Sequence, residues 1–268
     1  MRLENYLIEE KLDRTKEVSL DFALDFAKKN KDFLKGSPIY RGLRNNISLY
    51  AFVEPEKYTR VSANTENYYT LMIDNSPNWE GYPKRSKSII CSSSKSGASG
   101  YGNVYRVIPK NGAKIGVCSS DDFWGSFDDQ VPLDTLNNSI YRFFTILKEN
   151  LDIPVNFSAV NRDYNILKTA MSFCDKYKKE IYVEAMKSYV SYYANVFVKN
   201  IHYFSDKKSK LFDVVENFLK PEENGIELKK IGDNFDINRE VWTDSPSLLV
   251  SCGGSGIENY ENFIGMLK

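Results

Sequence analysis

With 268 residues the chain is long enough to bury a sizeable core, as one large domain or two small ones, and its 36 Lys plus Arg balance 36 Asp plus Glu. That neutrality removes any global field drawing the protein to nucleic acid or to an anionic membrane. Four scattered cysteines (Cys91, Cys118, Cys174, Cys252) without a CxxC pair, and one histidine, His202, argue against a dedicated zinc site and a disulfide framework.

No apolar run has the length of a bilayer span, and Met1-Arg2-Leu3-Glu4-Asn5 is too charged for a signal peptide, so the expected compartment is a reducing cytoplasm. Residues 2–12 and 18–34 read as helices. In the second, Leu20, Phe22, Ala23, Phe26, Ala27 and Phe33 recur near helical spacing against a charged face, with Gly36 as a stop. After Pro38, Ile39-Tyr40-Arg41-Gly42-Leu43-Arg44 reads as a strand. An arginine in that apolar context is costly unless it faces a cleft or an anion. Residues 48–53 and 67–73 read as two further extended segments, followed by a turn cluster at Asp74-Asn75-Ser76-Pro77-Asn78.

Residues 82–127 form the most patterned stretch. Strand-formers lead through Ile89-Ile90-Cys91 into Ser92-Ser93-Ser94. A small-residue loop then runs to Tyr101, a strand covers 103–109, and Lys110-Asn111-Gly112 makes a turn. A further strand spans 113–117, and 119–127 reads as a polar loop carrying aromatics. From about residue 134 to 222 the chain is helical and rich in Tyr, Phe and Lys. Strands return at Arg239-Glu240-Val241-Trp242 and Ser247-Leu248-Leu249-Val250-Ser251. Strands, a helical block and strands again indicate one α+β domain over 1–268, with a helical insertion at about 134–222.

The chain contains no GxxxxGK[ST] loop, HExxH, GxSxG elbow or EF-hand loop. A histidine-based triad would have to use His202, which reads as structural among Val198, Tyr203 and Phe204. The run Tyr189 to Tyr193 reads as helix packing rather than a base-stacking platform.

Three separated elements remain: Tyr40-Arg41-Gly42, Ser92-Ser93-Ser94, and Asn238-Arg239-Glu240-Val241-Trp242. Between the second and third lie Gly97-Ala98-Ser99-Gly100-Tyr101, a strand, and Pro109-Lys110-Asn111-Gly112-Ala113. In this order they resemble the arginine-serine-glutamate class of mono-ADP-ribosyltransferases, including members carried by bacteriophages, over about residues 38–127 and 235–251. The resemblance implies an ADP-ribosyltransferase-like split β-sheet core with N-terminal helices and the helical insertion. It implies NAD as substrate, no metal, and transfer of ADP-ribose to a macromolecular acceptor, protein rather than nucleic acid.

By the same resemblance Arg41 holds the NAD phosphates with Gly42 beside it, Ser92, Ser93 and Ser94 support the ribose side, and Glu240 is the catalytic acid. Trp79, Tyr82 or Tyr101 is the candidate wall for nicotinamide. The sequence departs from the family in carrying serine for the middle threonine of the serine element, whose register is either Cys91-Ser92-Ser93 or Ser92-Ser93-Ser94. It also carries Asn238 where arginine-modifying members have glutamate, which leaves the acceptor open. Asp121, Asp122 and Asp128 are alternative acids. Two other functions share the pattern: an NAD glycohydrolase using water, and a non-catalytic protein that keeps the fold and binds through its helical block.

Overall fold

The computed structural model describes residues 15–44, 49–62, 65–127, 133–187, 203–204, 206–253 and 259–268. The expected helix at 2–12, the run 189–193, Asp128 and His202 lie outside them. In chain order the first elements are β1 (Thr15–Glu17), α1 (Leu20–Lys29), β2 (Tyr40–Leu43), β3 (Tyr50–Val53), α2 (Asn67–Asn75), β4 (Ile89–Ser92) and α3 (Lys95–Ser99). Next come β5 (Asn103–Pro109), β6 (Lys114–Val117), α4 (Leu133–Glu149), α5 (Phe157–Val160), α6 (Tyr164–Lys176) and α7 (Lys178–Lys187). The chain continues through α8 (Leu211–Phe218), β7 (Glu227–Lys230), β8 (Glu240–Thr243), β9 (Ser247–Ser251) and α9 (Asn259–Gly265). The fold is mixed α+β, with one large antiparallel sheet.

The chain divides into two compact units. One comprises residues 1–61, 81–126 and 225–268, and the other 62–80 and 127–224. The first holds the whole sheet, in the order β1-β3-β9-β5-β2-β4-β8-β6-β7, every neighbouring pair antiparallel. β2 meets β5 over four residue pairs and β4 meets β8 over four, but β2 meets β4 at the single pair Tyr40↔Ser92. That seam separates a five-strand half from a four-strand half. One apolar cluster draws on both: Ala51, Val107 and Leu249 from one side, Cys91, Ile115 and Val241 from the other. At about 1.5–3 kcal/mol for each large aliphatic side chain buried, this shared core outweighs the ladder that the seam lacks.

α1 starts at Ser19, whose Oγ accepts the Phe22 N–H at 3.2 Å, and carries Asp21 in its first turn and Lys28 and Lys29 in its last. It buries Ala23 and Ala27, while Phe22 and Phe26 set their rings edge-on to Phe52 of β3. In β9 all five residues are buried, so the strand reads as a continuous run without alternation.

The second unit is helical. Along α4, Leu136, Ile140, Phe143, Phe144 and Leu147 are buried at three- and four-residue spacing, the stripe a packed helix requires. α6 begins at Asp163, whose Oδ1 accepts the N–H groups of Asn165 and Ile166. Residues 67–73, expected to be extended, are instead helical in α2 and belong to this unit. Asn67, Tyr68, Tyr69, Thr70, Met72 and Ile73 are all buried there, a nearly continuous run rather than the alternate residues of a half-buried strand. Burial has overridden the strand preference of tyrosine, threonine and isoleucine.

Candidate active site

The three elements singled out in the sequence lie on neighbouring strands of the first unit. Glu240, the first residue of β8, is registered with Ser92, the last of β4, and Ser92 with Tyr40, the first of β2. Side chains alternate along a strand, so Tyr40, Ser92 and Glu240 form one row on one face, while Arg41 and Cys91 take the other. The seam lies between these strands. Where backbone pairing has ended, the Arg41 guanidinium donates from Nη1 to the carbonyl of Ile90 in β4. Arg41 is half-buried and, among the described residues, has no carboxylate partner.

Cys91 senses both flanks. Burial pushes its thiol up to about 12, the Arg41 charge pulling it down and the Glu240 charge adding to the rise. It therefore stays protonated at neutral pH and is no thiolate nucleophile. All four cysteines are free thiols.

Each serine of the element has a defined backbone task. Ser92 Oγ accepts the Ser94 N–H at 3.1 Å, which leaves its own hydroxyl proton to donate. Ser93 Oγ accepts the Arg239 N–H at 2.8 Å, and the Ser93 N–H donates to the Arg239 carbonyl at 2.9 Å, which pins the entry to Glu240. Ser94 Oγ accepts the Gly97 N–H at 3.1 Å and caps α3. The stretch expected to be a small-residue loop is thus begun by a short helix, because a serine cap follows directly on the strand. α3 also explains two glycines. A Cβ on Gly42 would lie 2.0 Å from the Ala98 carbonyl oxygen, and one on Gly97 would lie 2.6 Å from Ser92 Oγ. Gly42 thus makes room for α3 rather than for an approaching ligand.

The Glu240 side chain is 13% exposed, with Arg85 Nη1 2.9 Å from Oε1 and the Phe123 N–H donating to Oε2 at 3.2 Å. Its backbone is held as well, the N–H donating to the Ser120 carbonyl at 3.0 Å and the carbonyl accepting the Cys118 N–H at 2.9 Å. Burial raises the pKa of the Glu240 carboxyl and the Asp122 charge raises it further, while Arg85 and the Phe123 N–H oppose them; the net direction is upward.

Of the alternative acids, Asp122 Oδ1 accepts the N–H groups of Trp124 and Gly125 at 2.8 and 3.1 Å and so stabilises the turn. Asp121 accepts from the Ser120 hydroxyl at 3.2 Å and is exposed. Neither is placed on a strand of the sheet.

The guanidinium carbon of Arg85 lies 4.0 Å from the ring centre of Phe123 and 4.9 Å from that of Trp242. Trp242 is itself fixed by an Nε1 hydrogen bond to the Pro83 carbonyl at 2.8 Å and by Gly116, where a Cβ would lie 2.2 Å from the indole. Sequence reasoning missed Arg85, because Lys84-Arg85-Ser86-Lys87 reads as an ordinary basic turn. The one available signal is Trp242, two residues after Glu240 and so on the same face.

The aromatic candidates are dispersed. Trp79 is buried in the helical unit with Nε1 donating to the Leu219 carbonyl at 2.9 Å. Tyr82 stacks on Trp242 and donates to the Ile226 carbonyl at 3.0 Å. Tyr101 is 54% exposed, and its Cβ lies 2.9 Å from where a Cβ on Gly42 would sit, so it alone of the three is both exposed and beside β2.

Among the described residues no group of three or more His, Cys, Asp and Glu side chains is arranged to hold a metal ion, and no helix is long and apolar enough to cross a membrane. No protein-family model, curated protein or solved structure matches the chain.

Proposed function

We propose that the sheet unit is an ADP-ribosyltransferase-like domain that cleaves the nicotinamide–ribose bond of NAD and transfers ADP-ribose to a macromolecular acceptor. One observation carries the reading: β2, β4 and β8 are consecutive in the sheet, with Arg41, the serine element and Glu240 at the ends that meet across the Tyr40↔Ser92 seam.

Although Arg41 and Glu240 belong to opposite faces by alternation, the seam lacks a backbone ladder beyond its one pair. A ligand lying across its open end meets groups from both faces. The half-buried Arg41 guanidinium has donors to spare after the Ile90 carbonyl, in the fork geometry that suits a phosphate. Nicotinamide leaves with the electron pair of the C1′–N bond and becomes neutral, and the ribose acquires oxocarbenium character, as in glycoside hydrolysis. The Glu240 carboxylate, fixed from two sides, accepts a hydrogen bond from a ribose hydroxyl and stabilises that developing charge. The acceptor then bonds to C1′ and releases a proton. Ser92, in the same row, has a hydroxyl proton with which to orient ribose or carboxylate.

A second reading, NAD hydrolysis with water as acceptor, has its own observation. The position two before Glu240 is Asn238, exposed and in the left-handed region at φ 60°, where asparagine is tolerated and no carboxylate is present to deprotonate an acceptor.

The test is incubation of the protein with NAD labelled in the adenosine moiety, with and without a cell lysate. Nicotinamide release with label on protein is expected. Release with free ADP-ribose alone selects the hydrolase. No release and no NAD binding at millimolar concentration removes catalysis and leaves a binding protein.

A further inference from the structure

We propose that Arg85 is a positioning residue for this reaction: its guanidinium, set against the rings of Phe123 and Trp242, fixes the Glu240 carboxylate in orientation and in charge. The inference rests on the reading of Glu240 as the catalytic carboxylate.

The geometry is that of a built support. Arg85 is 2% exposed, and its Nη1 stands 2.9 Å from Glu240 Oε1. Phe123 contributes twice, its ring to the guanidinium at 4.0 Å and its N–H to Glu240 Oε2 at 3.2 Å. The rings of Phe123 and Trp242 meet edge to face, with centres 5.3 Å apart, so the corner that receives Arg85 is itself rigid. Three chain segments meet there: the turn before β4, the loop after β6, and β8. Removing the cation alone leaves a buried carboxylate with only the Phe123 N–H to compensate it, a costly arrangement that the group escapes by taking up a proton.

The groups facing Glu240 set the sign. From the loop after β6, Asp122 raises the carboxyl pKa and the Phe123 N–H lowers it. From the turn before β4, Arg85 lowers it. The neighbouring thiols, Cys91 on β4 and Cys118 after β6, are both held protonated by burial and carry no charge at neutral pH. Arg85 is thus the one cation among these contributors, and its loss moves the carboxyl upward. A protonated Glu240 cannot stabilise a cationic ribose. In this role Arg85 touches neither NAD nor acceptor; it acts through Glu240.

The experiment measures nicotinamide release as a function of pH for the wild type, Arg85→Gln and Arg85→Lys, with circular dichroism as a check on folding. For Arg85→Gln the acidic limb is expected to move up by about one pH unit or more, giving about a tenfold loss on that limb that recovers as pH rises. For Arg85→Lys, which keeps the charge but not the planar fork, the limb is expected to stay near that of the wild type while kcat falls and KM holds.

A folded Arg85→Gln variant with the wild-type limb overturns the proposal. If Arg85→Gln does not fold, Arg85→Lys decides, and unchanged kcat overturns it. Failure of the underlying reading looks different: the wild type releases no nicotinamide, or Glu240→Gln releases it normally, whatever is found at Arg85.

Discussion

Arg41, on β2, and Arg85, in the turn before β4, have opposite settings. Arg85 is shut in, with its charge answered by Glu240 and its plane by two aromatic rings. Arg41 is half-buried, bonded to one main-chain carbonyl, and without a carboxylate among the described residues. Of five guanidinium donors, the first residue commits its charge inside the protein and the second keeps most of its capacity. A cation already neutralised is a poor phosphate clamp, whereas one held in place without neutralisation is preorganised for an anion. Under the proposed function the two settings separate internal scaffolding from ligand binding, a distinction that residue type alone does not make.

The largest effect bearing on this contrast is expected at the carboxylate the buried arginine serves. Glu240→Gln should lower nicotinamide release by about 10²–10³-fold while leaving NAD binding largely intact, measured by turnover and calorimetry. Wild-type turnover would remove the assignment of Glu240 and with it the purpose given to Arg85.

Next in size is Gly116→Ala, which drives a methyl into the Trp242 indole that backs Arg85. A loss of about 1–3 kcal/mol in denaturant unfolding is expected. A neutral result would mean that the wall behind the ion pair yields easily.

Arg41→Lys should weaken NAD binding about tenfold, equivalent to about 1.4 kcal/mol, without a change in melting temperature. If instead the protein is destabilised and binding is unaltered, Arg41 belongs with Arg85 as scaffolding.

Smaller still is the proton linkage. The Glu240 carboxyl binds its proton more tightly folded than unfolded, so its contribution favours the folded state most at low pH. That contribution is lost as pH rises from the ordinary glutamate value through the raised one. Activity should run the other way, falling on acidification with a midpoint above the ordinary value of about 4.3. The unfolding free energy of Glu240→Gln should lack this component of the pH dependence.

Much of the sheet was legible from the sequence because its inner strands are apolar runs bounded by turns. Residues 39–44, 48–53, 103–109, 113–117 and 247–251 contain β2, β3, β5, β6 and β9. The edge strands were not: β1 reads Thr-Lys-Glu and β7 reads Glu-Leu-Lys-Lys, mostly exposed, which carries no alternation to detect. α2 was misread because its buried tyrosines are good strand residues, and α3 because a five-residue helix is too short to show a period.

At the candidate site, Arg41, the serines and Glu240 stood out by the family resemblance that their order carries. Arg85, Phe123 and the fit of Gly116 to Trp242 did not, since each acquires its meaning only from a neighbour far along the chain. The described residues of 134–222 carry α4 to α8, and residues 62–80 join that unit from a distance.

The one-pair junction between β2 and β4 also has a mechanical side. Elsewhere in the sheet the spacing of strands is set by N–H···O geometry, which is stiff. Across this junction it is set by one residue pair and a single arginine reaching a carbonyl, and such contacts deform more readily. Compression or cooling should therefore be felt first there. Under hydrostatic pressure, the amide resonances of Tyr40 and Ser92, the pair at the junction, should shift more than that of Val107, whose N–H donates to the Ile39 carbonyl at 2.9 Å.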